Sequence, residues 1–241
     1  MAFIGATPTP IPLTATDIPD LPATKITSGT FPALNGSNLT NLDASDLTGT
    51  LPAISGENLT GIASDFVLLS TTTVSSSVSS ISFDGHFSST YKNYVAFLSY
   101  VRPTSDGAAI LMRLRQSNSD QTANNYTLAN SGVYRYQGTS DADDVGGADS
   151  DRFILTYNDV TSNVEADGGI DGRIYFSQPL RTDTHKKVHG TLIHSRPDPA
   201  YRQRHDFIGC YYANTNALSG FTIYFDSGNI ASGIIKLYGI K

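Results

Sequence analysis

The sequence predicts an all-β molecule in two parts, an extended repeat region followed by a jelly-roll-like β-sandwich. Two observations carry that prediction. GTFPALNGSNLTNL at 29–42 realigns without a gap, 20 residues on, with GTLPAISGENLTGI at 49–62, most positions being identical. Beyond residue 65 the texture changes to short segments that alternate apolar and polar residues, bounded by Gly, Pro, Asn, Asp and Ser clusters.

Residues 1–17 form the first element. Pro8, Pro10 and Pro12 alternate with Thr9, Ile11 and Leu13, which enforces a polyproline or edge-strand conformation with few backbone donors. Such a segment either frays or docks into a groove on another protein, with Phe3, Ile4, Pro8, Pro10, Ile11, Pro12 and Leu13 as its contact residues.

Residues 18–65 form the second element. Their apolar residues are Ile18, Leu21, Ile26, Phe31, Leu34, Leu39, Leu42, Leu47, Leu51, Ile54, Leu59 and Ile62, spaced three to five apart. Pro19, Pro22, Pro32 and Pro52, with five glycines from Gly29 to Gly61, exclude a heptad or any long helix. Fixed-period repeats of this kind cannot bury an apolar face alone and must stack on neighbours. One copy offers only a thin apolar line, too little to offset an ordering cost of roughly 1–2 kcal/mol per residue. The segment is therefore either a disordered linker or a fibre whose symmetry-related chains complete each other's core. Keeping Leu and Ile in register favours the fibre, since linkers are poor in such residues.

Residues 66–241 form the third. YVAFLSYV at 94–101, AAILMRLRQ at 108–116, RFILTYN at 152–158, GRIYFSQ at 172–178, HGTLIHS at 189–195, DFIGCYY at 206–212, GFTIYFD at 220–226 and GIIKLYGI at 233–240 all read as strands. In GFTIYFD, Phe221, Ile223 and Phe225 share one face and Thr222 and Tyr224 the other; Ile110, Met112 and Leu114 likewise oppose Leu111, Arg113 and Arg115. One face is thus expected in the core and one in water. Nine or ten such strands without a helix indicate a β-sandwich of jelly-roll type, with a barrel as alternative. The hydrophilic stretches 117–131 and 138–150 exceed ordinary hairpin loops and read as exposed connections.

Composition bounds the function. Charged residues are 16% and the net charge is −6, with a pI near 5.2, which argues against a nucleic-acid partner. No run reaches the ~20 apolar residues of a membrane-spanning helix, so membrane insertion is not expected, and the N-terminus lacks the pattern of a signal peptide. The single cysteine, Cys210, allows no internal disulfide and reads as a small buried apolar residue.

No motif for catalysis, cofactor or phosphate binding is present. Asp141, Asp143, Asp144 and Asp149, within an acidic stretch that runs on to Asp151, have the look of a calcium loop but miss the EF-hand pattern; the reading is no metal. His185 and His189 share a strand face without a third ligand. Positive charge gathers between Arg181 and His205, including Lys186, Lys187, His194, Arg202 and Arg204; it reads as solvated strand edges and inter-subunit pairs, or as a face for the acidic loop or an anionic glycan. Tyr126, Tyr134, Tyr136 and Tyr201, in or beside predicted loops, are candidates for recognition with Arg202 and Arg204.

The lines LPAxxGxNLTGI and ASDLTGTLPA resemble shaft repeats of tail-fibre and related fibrous virion proteins of tailed, particularly marine, bacteriophages. MAFIGATPTPIPLT at 1–14 resembles their virion-attachment end, and GNIASGIIKLYGIK at 228–241 the last strands of their terminal knobs. The resemblance implies a non-enzymatic homotrimer: residues 1–17 attach to another phage structural protein, 18–65 form an intertwined trimeric shaft, and 66–241 form a head that binds a host surface glycan or envelope protein. It implies synthesis in the host cytoplasm and residence on the virion tail. A capsid-decorating fibre without a dedicated receptor and a polysaccharide-degrading tailspike are the alternatives.

Overall fold

A computed structural model describes residues 65–136, 139–156, 161–167, 169–195 and 202–241; for residues 133–136, 139–149, 202 and 203 it describes the backbone. The attachment and shaft residues, from Phe3 to Ile62, and Tyr201 lie outside the described residues.

The described chain is all-β. Its strands are β1 Phe66–Val74, β2 Ser80–Asp84, β3 Asn93–Pro103, β4 Ile110–Gln116, β5 Ser119–Asp120, β6 Tyr126–Tyr136, β7 Thr139–Ser150, β8 Phe153–Ile154, β9 Ile170–Ser177, β10 Lys186–Ser195, β11 Arg202–Tyr211, β12 Gly220–Phe225 and β13 Ile230–Ile240. Eight of them pair as nested antiparallel couples: β1 with β13, β2 with β12, β3 with β9, β4 with β8. First meets last and the pattern repeats inward, as in a long hairpin rolled onto itself. Cross-pairing of β13 with β3 and of β12 with β4 closes two sheets, β1-β13-β3-β9 and β2-β12-β4-β8. The arrangement is consistent with a β-sandwich.

Two excursions enlarge it. The chain between β4 and β8 supplies β5, β6 and β7; the chain between β9 and β12 supplies β10 and β11. β10 adds to the edge of β9, β11 joins β10 to β6, and β6 carries β7, so the first sheet runs β1-β13-β3-β9-β10-β11-β6-β7.

Local sequence explains the joints. Ser117 and Asn118 both have positive φ, 48° and 61°, the conformation that lets a two-residue turn follow the strands' right-handed twist. Arg115 then ties that turn to the second sheet, bonding Asp120 and reaching Asp84 at 2.9 Å. Between the sheets Phe221 stacks on Phe83 at 4.8 Å and on Phe176 at 4.5 Å, the inward period-two face read from the sequence. Beneath the added strands the core is made by glycine opposite aromatic. The Phe153 ring lies where a Cβ on Gly209 would come within 2.6 Å, and the Phe207 ring lies 2.7 Å from where one on Gly190 would be. Phe153 also meets the edge of Tyr126 at 4.7 Å.

Several expectations need correction. Residues 117–131 and 138–150 are not long exposed connections: they hold β5, β6 and β7. The acidic stretch pairs with β6 from Tyr136↔Thr139 to Tyr126↔Ser150, so it is an edge strand rather than a loop; charge on an edge strand discourages further pairing. Leu111, assigned to the wet face of β4, is 2% exposed. Cys210 is not a core residue, being only partly buried. The basic stretch is split by strand alternation: Lys187 and His189 are exposed, whereas Lys186, His194 and His205 are buried. The Lys186 ammonium is bonded by the carbonyls of Arg181, Thr184 (3.3 Å) and Thr215 (3.0 Å), and burial pushes its pKa down.

Two outcomes follow for stability. Gly209→Ala drives a methyl into the Phe153 ring, and its urea midpoint should drop by the equivalent of about 1–2 kcal/mol at unchanged m. Burial favours the neutral form of Asp151, but the guanidinium bonds from Arg152 and Arg113 outweigh it and hold the carboxyl below its ordinary 3.8. Its folded pKa is therefore depressed, and its contribution is present above the unfolded value and lost as pH falls through the folded one. The stability gap between wild type and Asp151→Asn should be constant above about pH 5 and shrink below about pH 4.

Candidate functional site

One face of the enlarged sheet packs on the core; among the described residues the other carries exposed and partly buried side chains. The hydrogen-bond register places the residues of that other face in rows across the strands. One row runs Tyr175, His189, Ile208, Ala129; the next runs Arg173, Thr191, Asp206, Ser131. Strand alternation selects them, since their neighbours Ile174, Val188, Leu192 and Phe207 are all buried.

The rows are large on β9, β10 and β11 and small on β6, so a trough opens between them. Its volume is about 730 Å³, and Gly190 and Phe207 are among the residues that line it. His189 stacks on Tyr175, centroids 5.0 Å apart and planes 11° from parallel. The Arg173 guanidinium stands 5.9 Å from the centre of the Tyr175 ring. On the opposite wall the Thr191 hydroxyl donates to Asp206 at 2.6 Å and Arg204 pairs with Asp206 at 3.0 Å. Ile208 is 69% exposed, an unusual position for a branched aliphatic residue.

The trough therefore combines two rings, an aliphatic wall, a guanidinium, a carboxylate and two hydroxyls around small residues. Such groups hold a ring-shaped, hydroxyl-bearing ligand: apolar faces stack while polar groups fix orientation. Cys210 adjoins it on β11; burial pushes its thiol up, away from the reactive thiolate. Among the described residues no three His, Cys, Asp or Glu side chains are grouped to hold a metal ion.

The sequence-derived recognition residues fare unequally. Arg204 does not line the trough but pairs with Asp206, which does. Tyr126 is 1% exposed: its hydroxyl accepts from the Leu114 N–H at 3.1 Å and donates to the Gln121 carbonyl at 2.9 Å, so it is a core residue and offers no ring to a partner. Tyr134 and Tyr136 are on β6, paired with Asp141 and Thr139, and Arg202 pairs with Arg135; their side chains, like those of Asp141, Asp143, Asp144 and Asp149, lie outside the described residues. Arg173, Tyr175, Thr191, Asp206 and Ile208 were not singled out in the sequence. Their signal was present in the alternation of GRIYFSQ, HGTLIHS and DFIGCYY, but not the strand order that makes them neighbours.

On the inner side His194 and His205 stack at 5.1 Å, with His205 Nδ1 3.2 Å from Asn130 Oδ1. Ser162 donates to the Asp167 carboxylate at 2.6 Å and Ser195 to the Asp167 carbonyl at 2.7 Å. This buried cluster fastens residues 162–167 to the end of β10.

Compared with protein-family models, curated proteins and solved structures, the chain gave no match.

The contrast between core and trough is measurable. Tyr126→Phe strands a buried N–H and a carbonyl and should cost about 1–3 kcal/mol. Ile208→Ser should stay within about 0.5 kcal/mol of wild type in urea melts.

Proposed function

We propose that this chain is a non-enzymatic virion protein of a tailed bacteriophage, a homotrimeric tail fibre whose residues 66–241 form the head that binds the host envelope. The observation that carries this reading is the enlarged sheet. A framework of eight nested strands is extended by two separate excursions, and the trough spans β9 of that framework and the added strands β10, β11 and β6. Residues added to such a framework, with an aliphatic side chain left in water, are the mark of a surface kept for a partner.

The remaining support is in the sequence. The 20-residue repeat with in-register Leu and Ile needs identical neighbours to complete a core, and the proline-alternating start suits docking on a virion component. Three weak sites on one stalk would act together through avidity.

The purified full-length chain should sediment at about three times 25.8 kDa, and antibody label on intact particles should fall on the tail. Monomers in solution overturn the trimer. Label on the capsid replaces the tail fibre with a decoration fibre, and release of reducing ends from host polysaccharide replaces the binding head with a degrading spike.

A further inference from the structure

The two walls of the trough differ in how their charges are committed. Asp206 is already engaged by Arg204 at 3.0 Å and by the Thr191 hydroxyl at 2.6 Å. Its negative charge is matched, and its side chain is 46% exposed. Arg173 stands on the other side with its guanidinium beside the Tyr175 ring; among the described residues it is in no ion pair. Lys187 is exposed one row away on the same side of β10 as His189. Asp171, two residues before Arg173 on β9, is exposed too and accepts from the Tyr100 N–H at 2.9 Å. Even so, Arg173, Lys187 and Arg204 outnumber Asp171 and Asp206 on this side of β9, β10 and β11, a surplus of positive charge beside a ring-lined trough that draws anions in spite of the overall net charge of −6.

We propose that the trough binds an acidic oligosaccharide, a sugar chain bearing a carboxylate or phosphate. The planar guanidinium of Arg173 meets the oxyanion through paired N–H bonds. The Tyr175 and His189 rings and Ile208 take the C–H faces of the sugar rings. Thr191, Ser131 and the Asp206 carboxylate bond the ring hydroxyls. A volume of about 730 Å³ lies within the roughly 300–1,000 Å³ typical of sites for drug-sized ligands, so a short chain of sugars fills it better than a lone ring.

This inference rests on the recognition role proposed above and is independent of where the fibre attaches or how many chains it contains. The test is calorimetric titration of the full-length chain with three probes: trigalacturonate, its methyl ester, which keeps the rings and removes the charge, and mannose 6-phosphate. At least one acid should bind, and trigalacturonate at least about tenfold more tightly than its ester if the oxyanion is a carboxylate. Arg173→Gln should abolish the preference for acid, Arg173→Lys should keep part of it, and Tyr175→Ala should weaken acid and ester alike; unchanged urea melts check that each variant is folded. Binding by neither acid, an ester that binds as well as its acid where mannose 6-phosphate does not bind, or an acid preference that survives Arg173→Gln each overturns the assignment. Adsorption to host cells separates the two levels of the argument. Cells bound equally by wild type and Arg173→Gln leave the recognition role standing and remove this ligand, whereas no adsorption at all removes the role.

Discussion

The seam between β11 and β6 is the constraint on which the rest of the surface depends. It joins two excursions that leave the roll at different points, one between β4 and β8, the other between β9 and β12. The pairing runs unbroken from Arg202↔Arg135 to Tyr211↔Tyr126. A lone two-stranded hairpin is marginal in water, so neither excursion is expected to hold its shape without the other. Apolar packing fixes the register: Tyr126 lies against Tyr211 at 4.7 Å, and Gly209 gives the Phe153 ring its place. Slipping by one residue would put Phe207 and Tyr211 in water and Ile208 and Cys210 in the core.

Much of the domain was legible because its strands obey a period of two. GFTIYFD delivered the inward aromatic row, and GIIKLYGI and YVAFLSYV became neighbours in the sheet. What misled was polarity. The stretch 139–150, rich in Asp and Gly, reads as a loop by composition and is a strand because β6 pairs with it over most of its length, with one irregularity between Tyr126 and Leu128; tertiary pairing overrides weak local preference. Tyr126 follows Asn124 and Asn125 and reads as a loop residue, yet its hydroxyl satisfies two backbone groups inside the protein.

Lys186 shows the same limit for charge. Composition places lysine outside, but the Arg181, Thr184 and Thr215 carbonyls converge on its ammonium. The connection before β10 and the one after β11 are thereby tied through a single side chain. The trough residues were unreadable for a different reason: Thr191 follows Arg173 by 18 residues and Asp206 follows Thr191 by 15, and only the β9-β10-β11 order makes them adjacent.

That order also separates two duties within each strand. On β10 and β11 the inward positions are spent on Val188, Leu192, Phe207 and Tyr211, all buried, while the intervening positions touch little of the interior. Exchange of the latter leaves the fold's cohesion untouched. A lineage could therefore rewrite this surface, residue by residue, without passing through unfolded intermediates.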